Sequence, residues 1–503
     1  MFTKMTKKRT FSALLAMILV LSSMLVSCGE KKIKDPKELF EYAEMKAIDE
    51  VFDSFADEYD EYLEEVNNPK AGGGVSSIDI ELSEEALGML GLAANMDLSW
   101  LSNIGLDVEA YGDESVTSGK LSLLIGESRL ADILMLMDKN DSSIYLSAPE
   151  VLNKALMLKG NEAALIATDE IFKSLPDGKT LGTLVKKYVE IFVKGIEKVE
   201  KSEGTLTANG VTENCTVVKA TLTEVDAINI VKKITETAKE DADLKDLIVG
   251  IGNALSGIPG AEVESGEALY NDFAEELQWK LDDINEMDNE PSDELEAIIF
   301  TDYINSKNEI IGRTISNDTG ELISLGIAQK DGSFGFELKV EEELLLRGEG
   351  KSGKTMNGTY IIGNGIDDIA EVVLKDIEAD LSKGTIDIKV LEMPDIDGAE
   401  MLSGFLAVYS LRITFDVSKD EADMRISVMN GEDEFAAINI EGKTKKVEKI
   451  EVDTTDAIII DENLDASALM GALDLSALIE NLKNSPIPAE LVSLLEMYLA
   501  MAN

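Results

Sequence analysis

Apolar residues recur at steps of four and three from Ile48 through Phe52, Phe55, Tyr59 and Tyr62 to Val66. That spacing draws one stripe on a helix. It predicts a long helix opening at Pro36, with Asp35 placed to cap it and Glu38 three residues after the cap. The stripe is expected to pack on a sheet of the same chain. NNPKAGGG, residues 67–74, then breaks the pattern. From Val75 the period shortens toward two: SIDIELS, LDVEAYG, GKLSLLIG, ADILMLMD and SIYLSA are separated by GDESVTSG, GESR and DKNDS. Short alternating runs between turn-forming residues predict an antiparallel meander. Helical spacing returns at Leu181, Leu184, Tyr188, Phe192, Ile196 and Val199. GTLTANGVTENCTVVKATLT predicts a hairpin turning at Asn209-Gly210. Two further helices are expected over 224–256 and 266–287.

A second β-rich block follows, with strands such as AIIFTDYI, FGFELKV, TIDIKVL, LRITFDV and FAAINIEG. Two amphipathic helices, LDASALMGALDLSALIENL and PAELVSLLEMYLAM, close the chain. Alternating strands have one dry face, and that face must be covered. The expected fold is therefore α+β: a curved antiparallel sheet, half-barrel-like, packed with helices, in two β-rich lobes. The sheet is expected to curve around at least one helix of 149–287. The blocks run 1–27 (signal), 28–74 (anchor segment and acidic helix), 75–290 (first lobe with inserted helices), 291–460 (second meander) and 461–503 (terminal helices). A soft break falls at the acidic stretch near residue 290.

The N-terminus changes the picture from fold to compartment. MFTKMTKKRT is basic, and FSALLAMILVLSSMLVS is apolar or small throughout, the pattern of an export signal. Leu25-Val26-Ser27-Cys28-Gly29 resembles the lipobox of bacterial lipoproteins. That resemblance implies cleavage before Cys28 and a diacylglycerol on its sulfur. Each buried CH₂ of such an anchor is worth about 0.8 kcal/mol. The expected location is the extracytoplasmic side of the cell membrane, lipid-anchored.

Charge narrows the partners. The chain carries 46 Lys and Arg against 98 Asp and Glu, a formal net charge of −52. The signal holds four positive residues and no negative one, so the chain from Cys28 onward carries −56. Phosphate backbones are repelled by such a surface, and nucleic acid is not an expected partner. The hydrophobic fraction, 45%, is too high for a disordered chain. There is no histidine, which removes the commonest general base and metal ligand. With Cys28 lipidated, Cys215 has no disulfide partner, and its strand-like surroundings predict a small buried residue. MDNEPSDELEA lacks the Gly and the final Glu of a calcium loop. No catalytic residue, cofactor or metal is expected, and the chain is read as a non-enzyme.

One motif argues otherwise. GEGKSGKT, Gly348 to Thr355, fits the phosphate-loop pattern, and AIIIDEN ends in Asp461 and Glu462. A phosphate loop needs a helix directly after its Lys-Thr, whose N–H groups hold the phosphates. Here MNGTYIIGNGI follows, in which Gly358, Gly363 and Gly365 disfavour helix and Thr359, Ile361 and Ile362 favour strand. The expectation is strand, turn at Lys354 and Thr355, strand, with no nucleotide bound.

GKLSLLIGESRLADILMLMDKNDSSIYLSAPEVL is expected to run as strands, a polar turn, and a strand leading into a helix. With the lipobox and the acidic helix, it resembles lipoproteins of Gram-positive bacteria. In pattern, residues 75–460 also resemble the half-barrel fold of lipoprotein carriers and mycobacterial lipid-binding lipoproteins. That resemblance implies a sheet cupped around helices, holding a lipid in an apolar concavity. Met135, Leu136 and Met137, on the most apolar strand of the first meander, are the candidate pocket residues. Two functions stay open: a lipoprotein binding an apolar or lipid-like ligand, and an envelope interaction or scaffold lipoprotein with no small ligand.

Overall fold

The computed structural model describes residues 33–67, 71–113, 115–139, 143–159, 173–256, 265–287, 297–351, 353–392, 404, 407–460, 469 and 471–502. Eight α-helices and twenty strands are found among them. In chain order these begin with α1 (Pro36–Asn67), β1 (Gly72–Leu82), α2 (Glu84–Ala94), β2 (Asn103–Gly112), β3 (Val116–Ile125), β4 (Ser128–Asp138), β5 (Ser143–Ser147) and β6 (Leu156–Lys159). Next come α3 (Gly178–Gly195), β7 (Lys198–Ala208), β8 (Val211–Leu222), α4 (Glu224–Glu240), α5 (Ala242–Ser256) and α6 (Gly266–Met287). The long β run is β9 (Ile298–Ile304), β10 (Ile310–Asn317), β11 (Gly320–Lys330), β12 (Ser333–Val340), β13 (Glu343–Lys351), β14 (Thr355–Gly363) and β15 (Asp368–Glu378). It continues through β16 (Lys383–Val390), β17 (Ser410–Val417), β18 (Glu421–Asn430), β19 (Asp433–Lys445) and β20 (Ile458–Ile460), and the chain ends in α7 (Ser476–Lys483) and α8 (Ala489–Ala502).

The chain forms two compact units. One takes the residues up to Asn67 together with Ile166–Glu371; the other takes Asn68–Leu165 and Val372–Asn503. Each is built from two separated stretches, whereas the blocks read from sequence are consecutive. The acidic stretch near residue 290 lies outside the described residues.

In the first unit β7 to β14 pair in sequence order, all antiparallel. The β7–β8 hairpin turns at Asn209 and Gly210, with φ of 41° and 81°. Positive φ at both central residues gives the turn whose twist matches the strands. The sheet then curls: β7 and β8 lie against β11 and β12, to which they are not hydrogen-bonded neighbours. Gly335 is bare because an added Cβ would sit 2.0 Å from the Ala208 carbonyl oxygen. Inside the curl Leu206, Ala208, Cys215, Ile311 and Ala328 pack together. Successive strand residues face opposite ways, so Val218 and Ala220 of β8 point outward, as does Ile304 of β9. They meet Leu39, Phe40 and Ala43 of α1, Val193 of α3, Ile196 just beyond it and Ile230 of α4.

The α+β class and the curved, helix-covered antiparallel sheet are as expected. In this unit, however, the helices cover the outer side of the curl. Among the described residues, those packed in its interior all come from the sheet's own strands. The α1 stripe divides likewise. Leu39, Phe40 and Ala43 reach the sheet-side core, while Phe52 lies 3.4 Å from where a Cβ on Gly182 of α3 would stand. Phe55 is 43% exposed and Tyr62 54%.

The span 224–256 is two helices rather than one. At Asp241 the backbone is extended, and its Oδ1 accepts from the N–H groups of Asp243 and Leu244, opening α5. Its Oδ2 accepts from Lys187 Nζ and the Tyr188 hydroxyl, both at 2.9 Å. A buried carboxylate with four donors holds the break.

In the second unit the hydrogen-bonded order is β16–β17–β18–β19–β1–β2–β3–β4–β5–β6–β20, antiparallel up to β6. The last pair, β6 with β20, is parallel. After β19 the chain crosses the sheet: the Ile450 N–H donates to Ser118 Oγ of β3 at 3.0 Å, and β20 then joins the edge at β6. The α7 helix docks on β4, where Asn481 Nδ2 donates to the Leu130 carbonyl. It is shorter than the predicted 464–482. Residues 469, 471 and 472 are helical as well, and Leu473, bridged to Leu152, separates them from α7.

Candidate functional site

Cys28 and the signal lie outside the described residues. Met135, Leu136 and Met137 sit on β4, and the alternation of the strand splits them. Met135 and Met137 share one face, with Leu146 and Ile144 of β5 opposite them; Leu136 is on the other face, opposite Tyr145. Met135 is the exposed member of the three, at 38%.

The phosphate-loop stretch is a hairpin. The strand β13 ends at Lys351 and β14 begins at Thr355, with Lys351 opposite Asn357. Lys354 lies in the turn and Thr355 opens a strand, so no helix follows the motif. Ile458–Ile460 is the strand expected of AIII, though only three residues long; Asp461 and Glu462 lie outside the described residues.

Two features of the structure have chemical content. The first is the two-faced sheet of the second unit. Ile386, Ile413, Ile426, Ile438, Ile80, Ile104 and Ile125 stand directly opposite one another across seven strands. A second row on the same face holds Phe415, Met424, Ile440, Ile78, Leu106 and Leu123. Ile80, Leu123, Met424 and Ile438 keep 37–41% exposure, so the face is not closed over them. Where the rows shrink to Gly74, Ser76, Ala110, Ala422 and Gly442 there is a groove of about 320 Å³, whose rim is polar and charged through Ser418, Lys419, Asp420, Glu421, Lys443 and Thr444. A second groove of about 150 Å³ includes Phe415, Met424 and Ile440. None of Met135, Leu136 and Met137 lines either groove.

The opposite face of the same strands is polar and ion-paired. Arg412 Nε donates to Asp387 at 2.6 Å. Arg425 donates to Glu81 at 2.8 Å and also pairs with Glu434, which accepts from Ser427 Oγ at 2.7 Å. The guanidinium beside Glu434 holds its carboxyl below the usual range. Apolar patches beyond a few hundred Å² are uncommon on soluble monomers and mark interaction or ligand surfaces. On the isoleucine face Ile80, Leu123, Met424 and Ile438 are the exposed members, while Ile125 is buried.

The second feature is a buried charge cluster in the first unit. Asp302 of β9 has no exposed surface. Its Oδ1 accepts from Arg313 Nε of β10 at 2.7 Å, and the same guanidinium also pairs with Glu44 of α1. Asp302 Oδ2 is buried and receives no hydrogen bond. Burial pushes the Asp302 carboxyl up; Arg313 opposes this, Glu44 adds to it, and the balance stands at about 7. Burial works against the Arg313 charge, but Asp302 and Glu44 outweigh it and hold that pKa above its ordinary value. One step outward, Lys46 bridges Glu309 at 3.2 Å and Glu50 at 3.7 Å.

The cluster was missed in the sequence, where its signal is faint: single charges at core-facing positions of AIIFTDYI and EIIGRTIS. Cys215 is buried as expected, and burial pushes its thiol up, with Glu213 adding to the effect. Among the described residues no helix is long and apolar enough to cross a membrane. Nor, among those residues, do His, Cys, Asp and Glu form a group of three or more suited to a metal ion.

No known protein family matches this chain, and no curated protein matches it. Among solved structures, intact Ap-TbpB (N and C lobes) aligns at 10% identity over 76% of this chain and 78% of that one, with a TM-score of 0.11. At that score the alignment carries no argument about fold or function.

Proposed function

We propose that this chain is a membrane-tethered extracytoplasmic lipoprotein, anchored through Cys28, that binds an apolar or lipid-like ligand and catalyses nothing. The observation that supports the ligand reading is the isoleucine face of the second unit. It is continuous across seven strands, leaves side chains such as Ile80 and Ile438 open, and carries the 320 Å³ groove. Removing such side chains from water is worth about 25 cal/mol per Å². An acyl chain laid along the rows would gain that without requiring any catalytic group. The acidic surface disfavours nucleic acid and nucleotides as partners.

Native mass spectrometry of the purified full-length protein tests the ligand. Co-purified lipid that is lost from Ile80→Asp and Ile438→Asp variants, with their secondary structure kept, is the expected result. A protein carrying no lipid, before and after incubation with a total lipid extract, overturns the reading and leaves the scaffold function. The anchor is tested separately. Cys28→Ala should leave the signal uncleaved or release the protein from membranes, and normal processing with full membrane retention would overturn it.

A further inference from the structure

We propose that the Glu44–Arg313–Asp302 cluster is a proton-dependent clasp, which holds the first half of α1 on the sheet when one proton is kept between the two carboxylates. The geometry carries the argument. Two carboxylates from different elements, β9 and α1, share one guanidinium from β10. Opposite Asp302 on β8 stands Val218, and the helices packed on this face contribute Phe40, Val193 and Ile230 to the adjoining core. The charged groups that act most strongly on Asp302 are Arg313 and Glu44; Lys201 of β7 stands in the same row beyond Val218, and its Nζ donates to the Ile33 carbonyl. The outer Lys46, Glu50 and Glu309 pair with one another.

With both carboxylates ionised, the cluster carries a net charge of −1 around the fully buried Asp302, with the Arg313 and Glu44 side chains 24% and 13% exposed, and Asp302 Oδ2 lacks a donor. Burying charge and an unmet polar atom both cost stability. With one proton on Oδ2 the net charge is zero, and the new O–H can donate to Glu44. Undocking α1 removes Glu44 and opens the site to water, so the proton is then lost more readily. Proton retention and docking therefore favour one another. The clasp sits at the start of the described chain, shortly after Cys28, and α1 is the first element to feel it.

A raised carboxyl contributes stability that is fully present below its unfolded value and is lost as pH rises through its folded value. With the folded value at about 7, the ratio of docked to undocked α1 should fall about tenfold between about pH 6 and about pH 8. Hydrogen exchange of the full-length protein reads this. Protection of residues 36–48, corrected for intrinsic exchange, should drop about tenfold over that interval, while protection of 266–287 should not. Asp302→Asn keeps an acceptor for Arg313 and supplies a permanent donor to Glu44, and should stay protected at both pH values. Glu44→Gln removes the second negative charge and should flatten the profile too, which decides the matter if Asp302→Asn does not fold. Equal wild-type protection at the two pH values overturns the clasp. So does a drop that persists in the folded variants, or one shared equally by 266–287.

Discussion

At the scale of single residues, local chemistry was the most legible. Asn209-Gly210 specified its turn because positive φ is a property of the two residues themselves. Nothing crowds a Cβ at Gly210, whose φ is 81°. Gly210→Val should therefore cost about 1–2 kcal/mol through backbone strain alone, and Gly210→Asn clearly less; thermal unfolding of both variants checks this. Asp302 was illegible for the opposite reason. Its environment comes from residues 11 and 258 positions away, and a single sequence does not show that Arg313 and Glu44 converge on it. Asp241 lies between these cases. A helix running through it was the simplest reading of periodicity, and its side chain overrode that by capping α5 while gathering Lys187 and Tyr188. Asp241→Ala should leave those groups without their shared acceptor and lower the melting temperature. The loss should exceed that of Asp243→Ala, whose carboxylate is exposed.

Elements were legible as far as their period was, and their partners were not. The α1 stripe from Ile48 to Val66 is a genuine helical pattern. Periodicity names a face without naming what covers it, and most of the sheet contact falls earlier, at Leu39, Phe40 and Ala43. Two substitutions separate the halves of the helix. Phe40, 1% exposed, should cost about 3–5 kcal/mol when truncated to Ala. Phe55, 43% exposed, should cost about 1 kcal/mol or less. Calorimetry of the two variants should therefore show a large shift for the first and a small one for the second. In β4 the same limit applies: alternation placed Met135 and Met137 together, and put Leu136 on the other face, but said nothing about which face stays open.

For the whole molecule, charge and titration pull stability in two directions. Asp113, Asp177, Asp380, Asp453 and Asp474 accept turn or cap hydrogen bonds that hold their carboxyls low. Their contribution is present above the unfolded carboxyl value and is lost as pH falls through the lower folded values. Asp302 acts oppositely, and its contribution is lost as pH rises through about 7. A formal charge of −52 adds self-repulsion that eases as carboxylates gain protons. The melting temperature should therefore be higher at about pH 5.5 than at about pH 8 and fall again in stronger acid. Raising salt from about 0.02 M to about 0.3 M at pH 8 should raise it, since the Debye length shrinks below the spacing of most surface charges.

The strand order of the second unit bears on how the protein is made. The β1 strand pairs Ile80 with Ile438, residues 358 positions apart in the chain. Until β19 arrives, β1 is an unpaired edge displaying isoleucines, the kind of surface that invites pairing with another chain. All of Ile166–Glu371 must be synthesised in the meantime. Pairings so distant in sequence close slowly, because the loop entropy is lost before the contacts form. A chain that emerges N-terminus first on the far side of the membrane should hold half a sheet until β19 follows, and its yield should depend on an extracytoplasmic chaperone that shields β1 until then.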